Sequence, residues 1–347
     1  MHSWSSHEET ALKAMIIRRI VSLNEVDAPL DVVDLPKPDP QAGEVLVRVS
    51  ACGVCHTELD EIEGRTPPPQ LPIIPGHQVV GVVETLGTGV TNHRAGDRVG
   101  VGWIHHSSGG PDENLSPKFR ATGRDANGGY AQWMTVPGKY AFPIPQVYSD
   151  EQAAPLLCAG AVGYRALKLT NLADGDPLGL TGFGGSAHIV LQLVRHQFPK
   201  SPIFVFAHNE TGREFARKCG ADWVGETTQR APTPLRAIID TTPAWQPVVE
   251  ALSNLRPGGR LVINAIRKDE QDKSCLQALS YQEHLWMERE IKTVANVTGP
   301  DIADFLPLAA RAGIRPTVQV YPLMEANQAL IDLKRRPVTG SKVLVVS

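Results

Sequence analysis

From about Asp174 the chain alternates short apolar runs with stretches of helical period. PLGLTGF is followed by AHIVLQLVRHQF, IFVFA by TGREFARKCGA and LRAIIDTT by QPVVEALSNL, with GGRLVINAI and EIKTVAN beyond them. Strands that alternate with helices in this way build βαβ units, and a series of such units makes a doubly wound parallel sheet with helices on both faces. The first half reads differently. Between Met15 and about Val136, runs such as EVLVRVSAC, QVVGVVETLG and GDRVGVGWI are broken by Gly and Pro clusters, the pattern of a mostly antiparallel β unit. At 347 residues the chain has room for two domains. After Thr298, DIADFLPLAARAG and the closing KVLVV point to a return to the first of them. The expected division is a loose tail over residues 1–14, a β domain over 15–162, a parallel-sheet domain over 163–298 and a return over 299–347.

The string GLTGFGGSAH ends the first strand of the parallel series and opens its helix. In a G-x-G-x-x-A spacing, Gly182 allows the tight turn, Gly184 and the adjoining Gly185 let backbone amides approach a pyrophosphate, and the small Ala187 permits close helix-to-strand packing. The helix N-terminus then favours the phosphate charge. This part of the chain is therefore expected to bind a dinucleotide in a Rossmann-type fold. An acid at the end of the next strand would grip a ribose 2′-hydroxyl, but IFVFAHNETGR places Ala207, His208 and Asn209 there, with no carboxylate before Glu210. His208, Asn209 and Arg213 can instead receive a 2′-phosphate, which tilts the expectation slightly from NAD(H) to NADP(H).

Net charge is −3, with 34 basic and 37 acidic residues in no blocks, so no footprint for nucleic acid or an anionic membrane appears. No membrane-spanning run or signal-like start is present, and a cytoplasmic protein acting on a small molecule is expected. The five cysteines, Cys52, Cys55, Cys158, Cys219 and Cys275, are scattered and odd in number, which favours thiols over a disulfide framework. ACGVCHTELD holds two of them three apart, a spacing shared by zinc sites, redox dithiols and plain cores. Cys55, His77 in PGHQ and Cys158 in LLCAG are the candidate ligands; two thiolates and an imidazole with an open fourth position form a catalytic rather than a structural zinc site.

In order and ahead of the glycine loop, GVCHTEL, PIIPGHQVVG, AGDRVGVGW, GGYAQW and LLCAG resemble the zinc-dependent alcohol dehydrogenases of the medium-chain dehydrogenase/reductase superfamily, over nearly the whole chain from about Lys13 to Val346. The resemblance implies an α/β protein with a mostly-β, GroES-like catalytic domain and a Rossmann domain. It implies that Cys55, His77 and Cys158 hold one catalytic Zn2+, a Lewis acid toward the oxygen of a small primary or secondary alcohol, aldehyde or ketone. Cys52 would be a buried neighbour. Thr57 matches the hydroxyl that bonds the reacting oxygen, His56 a residue near the cofactor phosphates and Trp103 a wall of the substrate pocket. Three departures stand out. Gln78 follows the ligand histidine where many relatives have Glu. Asp60 and Glu63 occupy the places of relay histidines, and a carboxylate of suitable pKa can pass a proton as well. WIHHSSGGPDENLSPKF lacks the four cysteines of a structural zinc lobe, so no second zinc is expected and the lobe should be a short loop, held by packing or mobile. A homodimer or homotetramer is the expected assembly. A zinc-free enone or quinone reductase of the same superfamily, or a cofactor-binding protein without activity, are the competing readings; retention of the Cys55, His77 and Cys158 trio argues against the first.

Overall fold

The computed structural model describes residues 11–346. Two strands, β1 (Ala11–Ile17) and β2 (Leu30–Pro36), pair antiparallel as a separate ribbon. Residues 11–14 of the expected loose tail are therefore strand. Leu12 and Ala14 point into the core while Lys13 points out, and the alternation ties the segment down. The rest of that tail lies outside the described residues.

The first domain is built on β3 (Glu44–Val54), whose Val45, Val47 and Val49 are buried and whose ladder runs antiparallel to its neighbours. After it come α1 (His56–Ile62), β4 (Val79–Leu86), β5 (Arg98–Val101), β6 (Ile104–His106), β7 (Arg120–Ala121), β8 (Trp133–Pro137) and β9 (Ala141–Pro143). A short helix, α2 (Asp150–Ala153), leads to α3 (Ala159–Thr170), which crosses to the second domain.

That domain contains β10 (Leu178–Thr181), α4 (Ala187–Gln197), β11 (Ile203–Phe206), α5 (Glu210–Lys218), β12 (Trp223–Gly225), β13 (Leu235–Asp240), α6 (Gln246–Asn254), β14 (Leu255–Ile263) and β15 (Glu290–Thr293). All six strands are parallel, in the order β12-β11-β10-β13-β14-β15. All four residues of β10 are buried, as expected of a strand covered on both faces. The order reverses between β10 and β13, and ligands of such sheets bind in the crevice at the carboxyl ends of the strands flanking that reversal.

The chain then returns through α7 (Gly299–Arg311), β16 (Val318–Pro322), α8 (Ala326–Arg335) and β17 (Ser341–Val345). β17 pairs antiparallel with β3 and parallel with β16, completing the sheet order β16-β17-β3-β4-β5-β9 with β8 also on β3. α7 packs on α3, where the rings of Tyr164 and Phe305 stack at 5.7 Å. Among the described residues no helix is long and apolar enough to cross a membrane.

Candidate active site

Cys55 stands between β3 and α1, Cys158 at the start of α3, and His77 in the loop before β4. Their ligand atoms all lie within 4.8 Å of one another, and Nε2 of His77 is 3.2 Å from Sγ of Cys158. Gly76 makes this approach possible: its φ is +99°, and a Cβ there would fall 2.4 Å from the ring of Tyr130. Behind the cluster, the buried carboxylate of Glu58 accepts from the Cys55 amide at 2.7 Å. Its other oxygen lies 2.7 Å from Nδ1 of His77, off the axis of a good hydrogen bond. The contact with Cys158 and the His77 ring hold the Cys55 thiol well below its ordinary range despite burial; the same contact, together with burial, pushes Cys158 up. Burial pushes the His77 imidazole down, but the Glu58 charge and the hydrogen bonds outweigh it and raise the ring well above its usual range. Two thiols and an imidazole this close, with a carboxylate behind them, form a donor set fit for a divalent cation.

The glycine loop leaves β10 at the switch point. Gly182 has φ +77°, and a Cβ there would meet Thr242 Cγ2 at 2.8 Å and Thr241 Oγ1 at 3.0 Å. A Cβ at Gly184 would have only Val338 within reach, at 3.9 Å, so the loop presents bare backbone on that side, and one at Gly185 would meet Ser341 Oγ at 3.3 Å. Ala187 is fully buried at the start of α4. The Ser186 hydroxyl donates to the carbonyl of Ala159 at 2.8 Å, next to Cys158, so the loop is bonded to the backbone beside the thiol cluster. Trp103, half-buried with no partner for its indole N–H among the described residues, has its ring 6.0 Å from that of His77 and 5.8 Å from that of Phe119. An aromatic wall thus stands beside the cluster.

Residues 41–146 match the family described as the alcohol dehydrogenase GroES-like domain. Over 329 residues the chain is 41% identical to the probable alcohol dehydrogenase AdhA of Mycobacterium tuberculosis, covering 92% of this chain and 93% of that protein. The chain belongs to the zinc-type medium-chain alcohol dehydrogenases. An alcohol dehydrogenase of Geobacillus stearothermophilus is 31% identical over 335 residues, covering 92% of this chain and 96% of that one. In fold, the chain matches the crystal structure of CAD from Helicobacter pylori complexed with NADP(H), with a TM-score of 0.83 at 21% identity over 96% of this chain and 98% of that one. Members of this family are NAD(P)-dependent oxidoreductases acting on CH–OH groups, and the chain shares their mostly-β domain and parallel-sheet domain.

The other expected site residues of this alcohol dehydrogenase lie at varying distances from the cluster. The Thr57 hydroxyl is 3.6 Å from Sγ of Cys55, and His56 is exposed beside it. Gln78 is buried next to His77, and Cys52 is fully buried. Asp60 and Glu63 are not open acids. Oδ1 of Asp60 is 2.7 Å from Arg267 Nε and 2.6 Å from Arg65 Nη2; Oε2 of Glu63 is 2.6 Å from Arg65 Nη1 and 2.9 Å from Lys334 Nζ. Burial works to raise Glu63, yet Lys334 and Arg65 hold it below the usual carboxylate range. Both side chains are thus engaged by cations of the protein, which disfavours the relay expected of them.

On the cofactor side, Asn209 caps α5 by accepting from the Gly212 amide at 2.7 Å, and His208 is exposed. Arg213 turns its Nη2 to Glu210 at 2.7 Å and its Nη1 to the carbonyls of Ala207 and His208 at 3.0 and 3.1 Å, so its donors are engaged within the protein and must be released before they meet a phosphate. The cysteine-free lobe is packed. Glu113, buried, accepts from the Tyr140 hydroxyl and the Gly299 amide, both at 2.7 Å, and Asn114 donates to Ala295 at 2.6 Å.

Sequence reasoning passed over Glu58, although an acid three residues after a helix-starting position is a readable capping signal. It also passed over Arg267, whose contact with α1 carries no local signature.

Proposed function

We propose that the chain interconverts a small primary or secondary alcohol and its aldehyde or ketone through one zinc held by Cys55, His77 and Cys158. The observation that carries this is the three-donor cluster with Glu58 behind it, bonded through Ser186 and Ala159 to the glycine loop. Bound there, zinc supplies Lewis-acid polarisation of the substrate oxygen. Nicotinamide supplies the hydride acceptor or donor. To the chain's own groups we assign the following work: Thr57 holds the proton of the reacting hydroxyl, Trp103 and Phe119 confine its carbon side, Gly182, Gly184, Gly185 and Ala187 seat the pyrophosphate, and His56 faces the cofactor phosphates. Ion-paired Asp60 and Glu63 are left out of the proton path.

The purified protein is expected to contain about one zinc per chain, as a single three-ligand site requires. Cys55→Ser or Cys158→Ser should lose that metal and nearly all turnover with the fold retained. Two zinc ions per chain, or full activity in a metal-free variant, overturns the assignment. For the cofactor we retain NADP(H). Ala207 stands where an acid would repel a 2′-phosphate, and Arg213 lies beside it, donating to the Ala207 carbonyl at 3.0 Å. Equilibrium titration should show NADPH binding at least as well as NADH, and Ala207→Asp should reverse that order. A wild type that clearly prefers NADH defeats this choice. The free thiols, with no disulfide among the described residues, support a cytoplasmic setting. We also propose a homodimer through β15, the last strand of the parallel sheet, whose edge away from β14 has no strand partner among the described residues, with Ile291 exposed and Tyr281, Trp286 and Met287 exposed nearby.

A further inference from the structure

Six charges alternate in sign through contact pairs from one domain to the other: Lys334 on α8, Glu63 just after α1, Arg65, Asp60 on α1, Arg267 and Asp269. The last two belong to the segment that leaves β14 at the carboxyl end of the parallel sheet, beside the cofactor crevice. Five contacts fasten that segment to the crevice. The Asn264 amide donates to Asp240 O at 2.7 Å, and its side chain donates to the hydroxyl of Ser186 in the glycine loop at 3.4 Å. Lys268 pairs with the fully buried Asp240 and donates to Thr242 O at 2.8 Å, and the Asp269 amide donates to Pro243 O at 2.7 Å. Consecutive cations thus face opposite ways, Lys268 into the dinucleotide domain and Arg267 across to α1, the helix that begins directly after Cys55.

We propose that Arg267 is a positioning residue that clasps the cofactor crevice to α1, so that cofactor affinity and the placement of Thr57 and Cys55 are coupled through the Arg267–Asp60 contact. The inference rests on the proposed nicotinamide site. Redundancy in the network identifies the role of the contact. Asp60, with a side chain only 3% exposed, needs a cation, and Arg65 already provides one at 2.6 Å from within the first domain. Arg267 therefore adds a joint between domains rather than the neutralisation of a buried charge. Two-domain chains move about such joints unless an interface holds them. Because linkage is reciprocal, a contact that cofactor binding strengthens must in turn strengthen cofactor binding.

Zinc-loaded wild type, Arg267→Met, Asp60→Asn, the double variant, Arg267→Lys and Arg65→Met are titrated with NADH and NADPH by nicotinamide fluorescence, with thermal melts and steady-state kinetics alongside. Arg267→Met is expected to raise the cofactor Kd about tenfold, within the ordinary range of coupling between sites. The KM for cofactor should rise with it, while the KM for alcohol and the melting temperature hold. Asp60→Asn should act in the same direction, and the double variant should be no worse than the weaker-binding single, since both remove one contact. Arg267→Lys should recover part of the affinity, and Arg65→Met should stay within about twofold of wild type because its contacts do not cross between domains. An Arg267→Met protein that binds cofactor like the wild type, or single effects that multiply in the double variant, overturns the clasp. A wild type that binds neither dinucleotide overturns instead the proposed function on which it rests.

Discussion

Glu58 shows how one side chain sets the chemistry of its neighbours. It is fully buried, it accepts from the Cys55 amide, and its charge is the main influence raising the His77 ring. Burial outweighs that partner and raises Glu58 itself, so the carboxylate depends on a cationic neighbourhood to stay ionised. Glu58→Gln keeps the size and the acceptor for the Cys55 amide but removes the charge. It should weaken zinc binding by roughly 10- to 100-fold, the usual cost of losing an outer-shell partner. Competition with a chromophoric chelator measures this directly, and unchanged affinity would leave Glu58 a capping residue only. The ligands could be picked out as strings, because metal donors are chemically distinctive. The distant partners of Asp60 and Glu63 could not: Arg267 and Lys334 stand more than 200 residues away along the chain.

Among the elements, α7 carries the clearest electrostatic device. Thr298 caps it, Asp301 returns the capping contact, and the buried Asp301 carboxylate also meets Arg165 at 2.7 Å and Lys168 at 3.1 Å on α3. Burial alone would raise Asp301, but the hydrogen bond from Arg165, with those from Thr298 and Lys168, holds it below its ordinary value. A depressed carboxylate contributes stability above its unfolded pKa, about 3.9, and loses it as pH falls through the lower folded value. Asp301→Ala is therefore expected to cost about 2 to 3 kcal/mol near pH 7. Urea melts at pH 7 and near pH 3 should show the gap between wild type and variant closing in acid. A gap independent of pH would mean that packing, not the ion pairs, anchors α7. The capping pattern is local and readable, whereas the cations on α3 become its partners only when the return segment docks.

For the whole molecule, the exposed edge of the parallel sheet carries the assembly prediction. Ile291 on β15 is 47% exposed and Trp286, in the segment before β15, 53%, an apolar rim beside the edge of β15 that has no strand partner among the described residues. Ile291→Arg should convert a dimer to a monomer, read by light scattering, with each chain still folded. A wild type that is monomeric at high micromolar concentration rules out this edge as an interface.

The division of the chain into an antiparallel β domain and a parallel α/β domain, the glycine turn and the donor trio were all present in local pattern, since period, turn chemistry and ligand type are properties of neighbouring residues. The same holds for the absence of a cysteine-held lobe. What packs that cysteine-free segment, Glu113 reaching Tyr140 and Gly299, depends on residues brought together from 27 and 186 positions away, and only folding does that. The fates of Asp60, Glu63 and Arg213 were likewise decided in three dimensions. As a sequence, each is a charged residue near a motif, but an ionised group acts according to the charges that face it, and these three are paired by contacts with Arg267, Lys334 and the carbonyls beyond β11.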